Sequence, residues 1–374
     1  MGELVVREAT VLTDGAWVVR DLVCRDGVIA PGEPSDGADR LDGSGLLAVP
    51  GFVDVQCNGG YGIDLASEPE RLWELGARLP RSGVTAWLPT IVSSPPGTIE
   101  RALAALAAGP PPGWVGAVPL GLHLEGPFLA PSRRGAHPEG LLRPPSADEV
   151  AGWTCASGVA MVTLAPELEA ATAVIEALVA GGVVVSLGHS DATADQVTAA
   201  VDAGATGVTH LFNAMAPLHH RAPGLAGVAL ADDRLHVGLI ADGIHVDRTV
   251  VRAAQRALGD RLVLVTDAVA AMGMPTGRHA LGDARVVVGE DGVRLPDGTL
   301  AGSDLTMDRA VRNLVDLTGC PPATALSAAA AAPARLLDDP SRGVLEPGAR
   351  ADVVLLTPGL EVAHVFIAGQ PSAT

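Results

Sequence analysis

Glu125, His189 and His210 share one property: each closes an apolar run of strand length. The runs end as His123-Leu124-Glu125-Gly126-Pro127, Gly188-His189-Ser190 and Thr209-His210. A fourth run ends Thr266-Asp267-Ala268, and Asp242-Gly243-Ile244-His245 follows a fifth. Two imidazoles and a carboxylate make a three-ligand set that leaves a position open for water, the catalytic pattern for zinc. An ion so held lowers the pKa of its water towards ~7 and polarises a carbonyl. Asp267 then stands where a general base would take the water proton and return it to the leaving group. Amide hydrolysis needs that proton traffic, because an amine leaves poorly unless protonated.

Neighbouring residues have plainer readings. His123 lies two residues before Glu125, on the same face of a strand and deeper; packing or a hydrogen bond behind the ligands is expected of it. Gln56 and Asn58 repeat that spacing at the end of the first run. Neutral amides are weak zinc ligands, so they are expected to orient water or substrate, with a weak second metal site as the alternative. Cys57 between them should face away from the interior by strand alternation. His219-His220-Arg221, together with His245, is a basic cluster suited to an anion, whereas Arg133-Arg134 reads as a solvated charge run.

These residues need elements to bring them together. Apolar runs fall at 47–57, 84–92, 115–124, 159–165, 183–188, 207–211, 235–241 and 261–266. Helix-like segments lie between most of them, at 166–180, 247–258, 304–318 and 321–337 among others. Ser146-Ala147-Asp148-Glu149 and Thr193-Ala194-Asp195-Gln196 have the form of capping boxes. Eight strands alternating with helices predict an α/β fold, a (β/α)8 TIM-like barrel, whose chemistry gathers at the C-terminal ends of the strands. The flanks differ. Residues 1–46 and 342–374 read as short strands with tight turns such as Arg25-Asp26-Gly27 and Pro347-Gly348. They predict a small β-sandwich domain built from both termini, around a barrel spanning 47–341. The long connections 206–234 and 272–302 are candidates for functional loops.

Composition narrows the partners. The chain has 374 residues, 48% of them hydrophobic and 18% charged, enough apolar material for a large core. Its formal net charge of −18 argues against nucleic acid and against an anionic membrane surface. All 25 basic residues are arginine. Without lysine there is no Schiff base and no carbamylated lysine to bridge two metals. Four dispersed cysteines without a CxxC pair suggest free thiols in a reducing compartment. No signal-peptide pattern or membrane-length apolar run is found, so a cytoplasmic protein is expected.

Longer motifs carry a resemblance. Val49-Pro50-Gly51-Phe52-Val53-Asp54 and Gly348-Ala349-Arg350-Ala351-Asp352-Val353-Val354 resemble the metal-dependent amidohydrolase superfamily. Six segments resemble its N-acetylglucosamine-6-phosphate deacetylase family: Asp54 to Gly60, His123 to Phe128, Gly188-His189-Ser190, Thr209 to Met215, Ala241 to His245, and Val265 to Ala268. The resemblance implies hydrolysis of N-acetylglucosamine 6-phosphate to glucosamine 6-phosphate and acetate, in amino-sugar catabolism and cell-wall recycling. It implies Glu125, His189 and His210 as metal ligands and Asp267 as catalytic acid/base. His137, with Ala136 before it, matches a residue at the reacting acetamido group. Asn213, Ala214, Arg221, Asp242 and His245 match sugar-phosphate binders, and Leu300, Ala301 and Gly302 match a lid segment. One divalent ion per subunit is implied, zinc first, with other divalent transition metals as alternatives. A homodimer, or a dimer of dimers, is implied because a neighbouring subunit can supply a phosphate ligand. Many superfamily members carry HxH where this chain has Gln56-x-Asn58. That departure, with the absent lysine, disfavours another amidohydrolase such as a deaminase or cyclic-amide hydrolase. A non-catalytic sugar-phosphate binder would have no need of Asp267.

Overall fold

The computed structural model describes residues 2–13, 15–281, 284–289 and 291–372. Eight parallel strands make the expected barrel: Phe52–Cys57, Val84–Val92, Leu122–Glu125, Val159–Leu164, Val184–Leu187, Gly207–Val208, His236–Leu239 and Leu262–Leu264. Each pairs with the next in chain order. Continuous burial along them explains their near-unbroken apolar sequences: one face packs inside the barrel and the other under helices. The first and last strands meet just past their ends. Asp267 N–H donates to the Gln56 carbonyl at 2.9 Å, and Asn58 N–H to the Ala268 carbonyl at 2.8 Å. The barrel therefore closes at the same end that carries Gln56, Asn58 and Asp267.

The third run is shorter than its apolar extent. Val118–Pro119 pairs with the second strand, and Leu122–Glu125 pairs with it again further along. Gly121 turns the chain between the two pieces at φ +126, where a Cβ would lie 2.7 Å from that of Ala160.

The first run also divides. Leu47–Pro50, expected to open the barrel, pairs with Leu4–Thr13 and with Val353–Leu356 in the small sheet. The chain enters the barrel through Gly51, where a Cβ would sit 2.1 Å from Thr85 Oγ1. The terminal segments form one hydrogen-bonded eight-stranded sheet built from both chain ends. Its strand Leu4–Thr13 bulges between Val6 and Ala9, pairing with Asp39–Asp42 before the bulge and with Leu47–Pro50 after it. Val6, Val11, Leu22, Ile29, Val353, Leu355 and Phe366 build its core.

Helices occur at the expected places with two differences. Thr193 and Gln196 exchange the two bonds of a capping box. Ser146 makes no side-chain cap, and the Glu149 carboxylate pairs with Arg143 instead. The single helix expected over 321–337 is two, Pro322–Ala329 and Ala331–Leu336. Pro333 cannot donate back to residue 329, and its ring would strike that carbonyl, so a new helix starts with the proline in its first turn. The 272–302 excursion folds into a three-stranded antiparallel sheet, Gly277–Leu281, Ala284–Gly289 and Gly292–Arg294, beside the barrel mouth. Val269, Val286, Val288, Val293 and Ala301 give it a core of its own. Among the described residues, no helix is long and apolar enough to cross a membrane.

Candidate active site

At the barrel mouth the third, fifth and sixth strands bring Glu125, His189 and His210 together, all buried, with one donor atom of each within 4.8 Å of the others. Glu125 Oε1 lies 3.1 Å from His210 Nε2 and 3.3 Å from His189 Nε2, and the two nitrogens are 3.1 Å apart. His189, His210 and Asp267 all have positive φ, +50, +29 and +48. L-residues resist that region, and such strain gathers where a side chain must be aimed.

His189 Nδ1–H donates to the Arg133 carbonyl at 2.8 Å, which leaves its Nε2 lone pair facing His210 Nε2. Two imidazole nitrogens and a carboxylate oxygen at this spacing form a donor set suited to one shared cation. Their separations match the ~3.3 Å edge of a tetrahedron drawn around one ion with bonds of ~2 Å. The donor set thus fits a divalent metal.

Asp267 is bound to the same cluster through the first strand. Gln56 Nε2 donates to Glu125 Oε1 at 3.0 Å and to Asp267 Oδ1 at 3.1 Å, while Asn58 Nδ2 donates to that Oδ1 at 2.8 Å. Among the described residues, Asp267 Oδ2 makes no hydrogen bond, so one oxygen is anchored and the other is free for a proton. Asn58 Oδ1 is buried without a partner, an acceptor left open beside it. Burial, reinforced by the negative charge of Glu125, raises the Asp267 carboxyl to about 6. Burial also pushes Glu125 upward, but the imidazoles of His189 and His210 beside it outweigh that and hold Glu125 well below the usual carboxylate range. Next to Asp267, Thr266 Oγ1 donates to Asp54 Oδ2 at 2.6 Å, and burial raises Asp54 to about 7.

His137 lies against the cluster, its ring edge-on to His189 with centroids 4.6 Å apart. Ser93 N–H donates to His137 Nδ1 at 3.3 Å, so the neutral ring carries its proton on Nε2, the atom 3.9 Å from Glu125 Oε2. Burial lowers its pKa to about 3, keeping it a neutral donor. The Ser93 hydroxyl also lies 3.0 Å from His137 Nδ1, a role the sequence did not signal. Arg133 and Arg134 stay part-exposed and exposed, as expected of a charge run, and also make specific contacts. The Arg133 carbonyl orients His189, its guanidinium holds Asp191 at 2.5 Å, and Arg134 donates to the His137 carbonyl at 3.1 Å.

The remaining expected residues ring this centre. His245 Nδ1–H donates to Asp242 Oδ2 at 2.6 Å, while Asp242 Oδ1 receives the N–H groups of Ile244 and His245. Burial pushes the Asp242 carboxyl up, yet these bonds from His245 hold it below its usual value. Asn213 folds back on the His210 carbonyl, and the Ala214 carbonyl accepts Ser190 N–H, so both sit on the turn that follows a ligand. Ala136 lies between Gly135, whose Cβ would approach His189 Cε1 to 3.5 Å, and His137. Leu300 bridges Arg294, Ala301 is buried in the excursion's core, and a Cβ on Gly302 would lie 2.8 Å from the Asp267 carbonyl. Arg221 is different: it is exposed and contacts only its own loop, with Nη1 2.7 Å from His220 Nε2. Cys57 is fully buried.

Fold and site together define a hydrolase of the metal-dependent barrel class. The amidohydrolase family model matches residues 47–371. The N-acetylgalactosamine-6-phosphate deacetylase of Escherichia coli O157:H7 is 42% identical over 371 residues, 98% of each chain. The N-acetylglucosamine-6-phosphate deacetylase of Homo sapiens is 43% identical over 353 residues, 89% of this chain and 85% of that one. Among solved structures, the Mycobacterium smegmatis N-acetyl-D-glucosamine-6-phosphate deacetylase D267A mutant in complex with N-acetyl-D-glucosamine-6-phosphate superposes over 100% of both chains, at 36% identity and a TM-score of 0.91. The chain belongs to the amidohydrolase family and, within it, to the N-acetylglucosamine-6-phosphate deacetylases.

Proposed function

We propose that this protein hydrolyses N-acetyl-D-glucosamine 6-phosphate to D-glucosamine 6-phosphate and acetate, with Glu125, His189 and His210 holding one divalent ion, zinc first among candidates. When bound, the ion polarises the acetyl carbonyl and acidifies water. Asp267 then takes a water proton at its free Oδ2 while Gln56 and Asn58 hold Oδ1 still. The protonated carboxyl turns over as general acid and donates to the departing nitrogen. His137 Nε2–H points into the same space, as a donor to the amide oxygen. The observation that carries this reading is the Gln56 amide bridging Glu125 and Asp267, which ties the proton carrier to the ligand cluster by a single side chain.

A molecule at −18 repels an anionic sugar phosphate at long range, so binding requires a local basic group. His245 supplies one from within the chain. Arg221, exposed and unattached to its own site, fits the phosphate of a neighbouring subunit, and with it a homodimer. A cytoplasmic setting fits four free thiols.

The test is acetate release from phosphorylated and unphosphorylated N-acetylglucosamine, with and without a chelator. Release that is confined to the phosphorylated sugar and abolished by the chelator is expected. Equal turnover of both sugars, or turnover indifferent to chelation, would overturn the reading. The Escherichia coli relative favours a second substrate, the 4-epimer N-acetylgalactosamine 6-phosphate. The ratio of kcat/KM for the two phosphates decides between them.

A further inference from the structure

One layer beneath the proposed ligands, the barrel interior is crossed by a run of buried polar groups that the reaction does not use. His123 Nδ1 lies 3.0 Å from the Val55 carbonyl, and its Nε2 lies 2.7 Å from Thr163 Oγ1. Thr163 Oγ1 is 2.7 Å from Thr209 Oγ1, which is 2.7 Å from Ser186 Oγ. His123, Thr163 and Ser186 are fully buried and Thr209 is 2% exposed. The run thus connects the first, third, fourth, fifth and sixth barrel strands.

Proton counting gives the run a single direction. A carbonyl only accepts, so His123 Nδ1 carries the hydrogen given to Val55. The ring touches no carboxylate oxygen, and a neutral imidazole carries a single N–H. Its Nε2 is therefore an acceptor, and Thr163 must donate to it. A hydroxyl has one proton to give, so Thr209 must donate to Thr163, and Ser186 to Thr209. The order Ser186 to Thr209 to Thr163 to His123 to Val55 satisfies every group in the chain without a choice.

Each strand bearing a proposed ligand enters this run. His123 is two residues from Glu125 on the same strand face, Thr209 is next to His210, and Ser186 lies on the strand that leads to His189. Val55 precedes Gln56. We propose that His123, Thr163, Thr209 and Ser186 are positioning residues, a one-way hydrogen-bonded belt that sets the three ligand strands in register before the metal arrives. Networks behind metal ligands govern affinity by fixing ligand orientation, and here the network fixes strands rather than single rings. Thr163 is its keystone, since its strand supplies no ligand.

This inference rests on the metal reading of the site, and the test separates the two. Zinc is extracted from the zinc-loaded protein and its variants by graded chelator, giving relative metal affinity, while circular dichroism reports folding. Wild-type protein that holds no zinc would overturn the metal reading itself. With wild type holding zinc, Thr163→Val should weaken affinity ~10–100-fold, and Thr163→Ser, which keeps the hydroxyl, should stay within about threefold of wild type. Ser186→Ala removes only the terminal donor and should give a measurable but smaller loss. Leu22→Ala, in the core of the small sheet, controls for general destabilisation and should leave affinity intact. Unchanged affinity in Thr163→Val, an equal loss in Leu22→Ala, or a Ser186→Ala loss as large as that of Thr163→Val would overturn the belt. Should Thr163→Val not fold, unchanged affinity in Ser186→Ala overturns it alone.

Discussion

A carboxylate that shuttles a proton must be anchored without being consumed. Asp267 meets that requirement with one oxygen held by two amides and one left free. Asp267→Asn keeps the shape and both neighbours but loses the base. Turnover should fall ~10²–10⁴-fold with KM little changed, and near-normal turnover by steady-state kinetics would remove Asp267 from the role. The base must be ionised to act, and burial raises its pKa. kcat/KM should therefore fall as pH drops through about 6, and a bound cation would draw that limb lower; a profile flat down to pH 4 would count against it. His189→Ala should leave a folded protein with far less metal by elemental analysis. These side chains were legible because a polar residue ending an apolar strand is conspicuous. The groups that aim them were not. The Arg133 carbonyl acts through the main chain, which carries no residue signature, and Ser93 meets His137 with both its amide and its hydroxyl; both reach across more than forty residues.

At the scale of elements, local signals were sound where the partner was also local. Thr193 and Gln196 cap their helix as a box, and Thr193→Ala should cost about 1 kcal/mol in chemical denaturation; an unchanged midpoint would mean the cap is idle. The same pattern at Ser146 forms no cap, and its Glu149 carboxylate pairs with Arg143. Strand ends were blurred for a similar reason. The runs at 47–57 and 115–124 are continuous in hydrophobicity, but Gly51 splits the first between the small sheet and the barrel, and Gly121 breaks the second into two pieces along the same neighbouring strand. Backbone crowding at a glycine is a property of the folded barrel, and hydrophobic pattern does not register it.

For the whole molecule, the charge balance makes recognition depend on few cationic groups. Arg221→Ala should raise KM for the phosphorylated sugar at least tenfold and leave the unphosphorylated sugar unaffected, and equal effects on both would place the phosphate elsewhere. Mixing Arg221→Ala with Asp267→Asn subunits would report whether the arginine serves its own site or its neighbour's: activity recovered in the mixture means the neighbour's.

The hydrogen bonds from Asp267 to Gln56 and from Asn58 to Ala268 join the opening and final staves of the barrel. During synthesis, the residues that grip the carboxylate leave the ribosome more than two hundred codons before the carboxylate itself. On the function proposed above, the proton carrier is absent from its cradle until the last stave docks. Completion of the ring and the onset of turnover are then one event.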